Sequence, residues 1–340
     1  MSAPAELGES ESVVASPGAG RPPFRGIKLG TISQTLGPLA SLIILSLLIW
    51  SQQDVFMTSG NWLNIARQAS FNAILGIGMT FVILTSGIDL SVGSMVAVSS
   101  VVGGLLIFNQ GWSMWPVVLA MILAGGLCGL ANGLIITLGR IPPFIVTLGT
   151  MQVFRGIALQ LTNGQPFFDI TKVQPDFDIW GTRNFAGIPS PVIITAIVFV
   201  IGFLILRYTR LGLYTYSIGG NEQATRFSGV NINRYKLSVY TLMGVAAGIA
   251  GLMLTSRLNS AQPNVANGAE LDAIAAVVIG GTSLTGGKGS IVGTVIGALI
   301  ISVLNNGLQI MSIPQEWQNV ILGCVIIVAV YADMARKRAA

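Results

Sequence analysis

The sequence predicts an all-α, polytopic membrane protein with about ten transmembrane helices and one short helix in a polar loop. Three observations carry that prediction. The 340 residues are 52% hydrophobic and only 9% charged, with a mean hydropathy of +0.74, whereas a soluble domain carries about a quarter charged residues. Glycine is abundant at 42, which suits helices packed closely in a bilayer. Apolar runs also recur near the ~20 residues that a helix needs to cross a hydrocarbon core.

Taken in order, residues 1–30 (MSAPAELGESESVVASPGAGRPPFRGIKLG) are polar and rich in Pro, Gly and Ser, and read as a disordered tail. They lack the charged head, short apolar run and small-residue cleavage site of a secretory leader. The first apolar segment is therefore expected to remain as an anchor, and the transmembrane domain to occupy 31–338. Ten runs follow at 33–51, 64–87, 91–108, 115–138, 142–161, 191–208, 236–258, 269–284, 290–311 and 317–333. The third and eighth are short and broken by glycine.

Charge gives the orientation. With the N-terminus cytoplasmic, 13 of the 18 basic residues fall inside: Arg21, Arg25, Lys28, Arg140, Arg207, Arg210, Arg226, Arg234, Lys236, Lys288, Arg336, Lys337 and Arg338. Only Arg67, Arg155, Lys172, Arg183 and Arg257 do not. The positive-inside rule thus predicts that both termini are cytoplasmic. The net charge of +5 is then a topology signal, and no nucleic-acid partner is expected. The polar loop 209–235 falls on the cytoplasmic side, and the loop 162–190 on the opposite side.

Several chemistries are excluded. There is no histidine, so no His-based metal site or general base exists. Cys128 and Cys324 lie in apolar runs and read as buried, inert thiols. The stretch GGTSLTGGKGS (280–290) looks at first like a phosphate-binding loop. Counting back from Lys288, however, puts Thr282 where the first glycine belongs, and Gly289 stands where the hydroxyl belongs. No other catalytic motif is present, so no catalytic residue, metal or cofactor is expected in this chain. A weak internal echo joins TSGIDLSVGSMV (85–96) to TSLTGGKGSIV (282–292). Internal duplication is common in transporters, and chance similarity of Gly-rich sequence is as good an account.

Two polar features call for explanation. In GGNEQATRFSGVNINRYK (219–236), Asn221 is a good N-cap, Glu222 and Gln223 suit a first turn, and Gly229 is a natural stop. A helix of about two turns is unstable alone. It must pack on its own protein, on lipid headgroups or on a cytoplasmic partner. Asp89, between two apolar runs, either caps a helix beginning near Leu90 or is a functional carboxylate.

Residues 72–107, 218–230 and 270–307 resemble the permease subunits of ribose-type sugar ABC importers, and the similarity runs through nearly the whole chain outside the tail and the 162–190 loop. The resemblance implies an inner-membrane complex. It would contain a second copy of this chain, a cytoplasmic ABC ATPase carrying the ATP and Mg, and a periplasmic sugar-binding protein. It assigns Asn221, Glu222, Gln223, Ala224, Arg226 and Gly229 to coupling with the ATPase. The wider superfamily's E-A-A-x-x-x-G signature is departed from here. Glu222-Gln223-Ala224 is followed by Gly229 one residue late, and the later Leu-Pro is missing. For a sugar path or gate the candidates are Asp89, Asn305, Asn306 and Gln309. Asn305 and Asn306 are adjacent, about 100° apart on a helix, so at most one can line a path well. Arg183 and Arg257 are expected to hold the binding protein. The competing reading is a stand-alone channel or ion-coupled sugar transporter. An ion-coupled carrier needs carboxylates deep in the membrane, whereas Asp89, Glu270, Asp272, Glu316 and Asp333 all lie near predicted span ends. Which sugar is carried stays open among ribose, other pentoses, hexoses and polyols.

Overall fold

A computed structural model describes the backbone of residues 29–338, with the side chains of 36–331 and 334. The tail expected at 1–30 lies outside the described residues up to position 28. The helices are α1 (Leu29–Trp50), α2 (Ser59–Leu84), α3 (Val92–Phe108), α4 (Met114–Gly139), α5 (Pro143–Thr162), α6 (Ile170–Val173), α7 (Ser190–Tyr208), α8 (Arg210–Gly220), α9 (Glu222–Phe227), α10 (Ile232–Leu258), α11 (Ala269–Ile279), α12 (Ile291–Ile310) and α13 (Gln315–Arg338). Two short antiparallel pairs complete the set. They are β1 (Phe167–Phe168) with β4 (Ser260–Ala261), and β2 (Asn184–Phe185) with β3 (Ile188–Pro189).

Each apolar run of the sequence is helical over most of its length. Among the described residues six helices (α2, α4, α5, α7, α10 and α12) are long and apolar enough to cross a membrane, which makes this an all-α, multi-pass membrane protein. The run 269–284 is helical only over the 11 residues of α11, roughly 16 Å at 1.5 Å per residue and about half a hydrocarbon core. The glycines at 280 and 281 end it.

Glycine permits the close contact of α4 with α10. Gly125, Gly129 and Gly133 repeat every fourth residue along one face of α4. A Cβ at Gly129 would lie 2.2 Å from the carbonyl oxygen of Tyr240, and one at Gly244 would lie 2.2 Å from that of Gly125. The backbones of α4 and α10 therefore touch, as small residues every four positions allow. The other face of α4 turns Leu119, Leu123, Leu127, Leu134 and Leu138 outward. Gly129→Val is expected to destabilise the protein by about 1–3 kcal/mol or more through overpacking. The measurement is a fall in the melting temperature of the detergent-solubilised protein, and an unchanged value would contradict the contact.

The structure corrects three sequence readings. Residues 210–220, read as loop, form α8, which starts where Thr209 Oγ1 accepts from Gly212 N at 3.4 Å. The polar, aromatic loop 162–190 is a packed cap. Ile170 and Phe177 are fully buried against Ile107, Val117 and Leu252, and Ser256 Oγ donates to the Phe177 carbonyl at 2.7 Å. Cys324, expected to be buried, is exposed on α13, and Cys128 is half-buried. An apolar run in a membrane protein has an outward face as well as an inward one, and run length alone does not tell them apart.

Candidate functional site

At one end of the molecule α9 stands out from the helix bundle. Asn221 Oδ1 accepts from Ala224 N at 2.9 Å, capping the helix. Glu222 sits between two cations, 3.2 Å from Arg226 and 2.7 Å from Lys236 of α10. Thr225 is buried against the protein, while Gln223, Ala224 and Arg226 are exposed. Ser228 closes the helix and Gly229 follows at φ +81°, in the left-handed region that glycine favours. Phe227 is 89% exposed. Sequence reasoning missed it, although its signal was plain, an aromatic at the end of an otherwise polar loop helix. Beside α9 a cleft of about 610 Å³ opens between Glu222, Lys236 and the α4–α5 turn at Arg140 and Pro142.

The loop bearing α9 is joined to the bundle at a backbone junction. The carbonyl of Leu84, at the end of α2, accepts from Gly287 N at 3.0 Å. Ser86 Oγ donates to the Thr285 carbonyl at 2.8 Å, and Tyr216 of α8 donates to the Gly289 carbonyl at 2.8 Å. A Cβ at Gly219, at the end of α8, would lie 1.8 Å from the Leu84 oxygen and 2.4 Å from Gly287 N. Three segments meet with no room for a side chain: the α2–α3 break, the α11–α12 turn and the root of α9. The first two are the echo segments of the sequence. The turn at 280–290 is preceded by α11 rather than by a strand.

Five residues beyond Leu84, Asp89 is fully buried. Its Oδ1 accepts from Ser91 N at 2.9 Å and from Ser91 Oγ at 2.7 Å. Asn132 of α4 donates to the same hydroxyl at 2.8 Å. The helix begins at Val92, not near Leu90, so the Asp89 bond closes an Asx turn ahead of α3. Asp89 Oδ2, Asn132 Oδ1 and the Tyr240 hydroxyl have no partner.

The opposite end carries the remaining candidates. Asn305 and Gln309 line a cavity of about 570 Å³ between α2, α11, α12 and α13, together with Gln68, Asn267 and Asp272. Asn306 points the other way. It exchanges two hydrogen bonds with Asn61 of α2, at 2.8 and 3.0 Å. With Asn72 donating to Ser302 at 3.1 Å and Thr80 meeting Thr294 at 2.7 Å, Asn306 belongs to a polar ladder between α2 and α12, which takes it off the cavity wall. Arg183 is held by Asp178 at 2.6 Å and Asp176 at 3.1 Å. These hydrogen bonds, that to Asp178 first, push its guanidinium above its ordinary pKa. Arg257 is exposed, with no hydrogen-bond or ion-pair partner among the described residues. The two arginines share one end of the fold, since Gly181 packs on the Arg257 backbone. Among the described residues no cluster of acidic residues and cysteines is placed to hold a metal ion.

The family model described as "Branched-chain amino acid transport system / permease component" matches residues 61–330. The ribose import permease protein RbsC of Bacillus subtilis (strain 168) is 46% identical, covering 91% of this chain and 95% of its own length. RbsC of Escherichia coli (strain K12) is 45% identical, covering 88% and 93%. The xylose transport system permease protein XylH of Escherichia coli (strain K12) is 33% identical, covering 97% and 98%. No solved structure matches the chain.

Proposed function

The chain belongs to the family of branched-chain amino acid transport system permease components, and from that premise we propose that it is the permease subunit of an ABC importer carrying ribose or a related sugar or polyol. The full-length relatives named for ribose and xylose support the sugar branch over the amino-acid one. The subunit is non-catalytic and holds no cofactor. A separate ATPase carries ATP and Mg, a second copy of the chain completes the membrane unit, and a periplasmic protein delivers the sugar. Ten membrane-embedded helices are proposed, α11 among them as a half-span, in the inner membrane with both termini cytoplasmic. The domain layout is a tail at 1–30 and a permease domain at 31–338.

One observation carries the reading: an exposed loop helix, α9, rooted without slack in the α2–α3 break. A solvated two-turn helix tipped by an exposed phenylalanine suits a groove on a partner, and the side-chain-free junction suits transmission of its displacement. The residues assigned to the ATPase are Asn221, Glu222, Gln223, Ala224, Arg226 and Gly229, now with Phe227. Asp89 is proposed as the gate, and Asn305 and Gln309 as path residues.

The test is uptake in cells lacking this chain and then restored with it, over a panel of pentoses, hexoses and polyols alongside leucine and valine. Sugar uptake that depends on the chain is the expected result. Leucine uptake without sugar uptake would transfer the chain to the amino-acid branch. One observation favours the ion-coupled alternative. The structure buries Asp89 fully, and Oδ1 of Asp272 as well, although the sequence placed both at span ends.

The binding protein is proposed to dock near Arg183 and Arg257. Because Asp176 and Asp178 already neutralise Arg183, the free charge is that of Arg257. Arg257→Glu is expected to weaken association several-fold at low salt and less at high salt, where exposed charges are screened. Equal affinity of Arg257→Glu and wild type at low salt would remove this contact.

A further inference from the structure

The cavity between α2, α11, α12 and α13 has a polar wall that includes Gln68, Asp272, Asn305 and Gln309, alongside Leu271, Leu322 and Ile326. Gln68 lies nine residues into α2 and Asn305 five residues before the end of α12, roughly 13 and 7 Å inside the helix ends. Asp272 stands on α11, and its Oδ1 is closed off from solvent without a hydrogen-bond partner. The ionisable group acting on it is Glu270, two residues earlier, which is a like charge. A half-buried carboxylate with one oxygen shielded, and neither cation nor donor among the described residues, is expensive in a fold, and beside membrane-spanning helices such a group is a functional candidate by default.

The amides of Gln68, Asn305 and Gln309, which form no side-chain hydrogen bonds among the described residues, surround the same space. Each offers two donors and an acceptor. The space, about 570 Å³, lies within the ~300–1,000 Å³ typical of small-molecule sites. It is far wider than the shell of oxygens at ~2.3–2.6 Å that a bare cation such as calcium requires. A carboxylate taking two donors from neighbouring hydroxyls, with amides for the rest, matches a polyhydroxyl compound, whereas an apolar amino-acid side chain would leave these polar groups without partners.

We propose that the permease carries its own sugar-hydroxyl site, with Asp272 as the hydroxyl-binding carboxylate and Gln68, Asn305 and Gln309 as supporting amides. The site lies at the end of the protein opposite α9, so a sugar leaving the binding protein is read a second time before it crosses. This rests on the sugar reading above and adds that the permease itself discriminates.

The experiment uses the assembled complex in proteoliposomes, with the unaltered binding protein and D-ribose as probe. Hydrogen bonds to a charged group are the strong ones. Asp272→Leu is therefore expected to lower ribose uptake by about tenfold or more, Asp272→Asn by less, and Asp272→Glu to restore part of it. The variants should still co-purify with the ATPase. A second readout is independent of transport. In a Cys324→Ser background, Asn305→Cys is labelled with a thiol reagent in complexes without binding protein. Millimolar D-ribose should slow the labelling, and adding Asp272→Leu should abolish that protection. Undiminished uptake by Asp272→Leu, or protection by ribose that persists in it, overturns the site. A loss of uptake reproduced by withdrawing sodium from the wild type also overturns it, in favour of a cation site. A wild-type complex that imports no sugar at all overturns the sugar reading as well, so the two failures are distinguishable.

Discussion

Glu222→Arg is expected to leave the protein in the membrane and to lower sugar uptake by at least about tenfold, equivalent to ~1.4 kcal/mol in the rate-limiting step. The reason lies in what Glu222 touches. It accepts from Arg226 on its own helix and from Lys236 on α10, so it both braces α9 and fastens it to a membrane helix. Reversal would leave three cations facing one another on the surface proposed to meet the ATPase. The ion pairs are partly exposed and worth little to global stability, so the effect should appear in coupling rather than in expression. Sugar-stimulated ATP hydrolysis is the quantity to measure, with Glu222→Gln as the milder comparison. Normal uptake together with normal stimulation in Glu222→Arg would remove α9 from the coupling path.

Asp89→Asn is expected to give an assembled protein whose ATP hydrolysis no longer responds to loaded binding protein. Both amide and carboxylate can accept from Ser91 N, so the Asx turn survives the substitution. What changes is the charge of a fully buried carboxylate, linked through the Ser91 hydroxyl to Asn132 and five residues from the junction under α9. A carboxylate that serves only the turn predicts near-normal transport for Asp89→Asn and a loss of folded protein for Asp89→Ala. Wild-type coupling in Asp89→Asn would leave the turn as its whole role.

The parts of this molecule that were legible in the sequence are those governed by local composition. The apolar runs mark the helices because a helix in lipid must satisfy its own backbone. Asn221 marks the start of α9 because a capping side chain acts within three residues. Relations between distant segments were not legible. That 85–91 and 282–290 touch, and that Gly219 seals the contact, depends on packing between runs nearly 200 residues apart. Asn305 and Asn306 were separable only as a pair, and which one faces α2 was decided by Asn61. Arg183 was expected to hold the binding protein because its pairing with Asp176 and Asp178 depends on how the 162–190 cap folds, which the sequence does not show. Asp272 was set aside as a span-end residue because the sequence shows the run 269–284 to be short and glycine-broken but not that α11 packs beside α2 and α12, which places Asp272 on the wall of a cavity.

The central claim is that a partner's ATP hydrolysis, transmitted through α9, drives sugar through this chain. It is tested most directly by reconstituting the chain with its ATPase and binding protein in proteoliposomes and measuring sugar uptake with ionophores present to collapse proton and sodium gradients. The account predicts uptake that requires ATP and loaded binding protein and is indifferent to the ionophores. Uptake that proceeds without ATP and stops when the ion gradients collapse would contradict it.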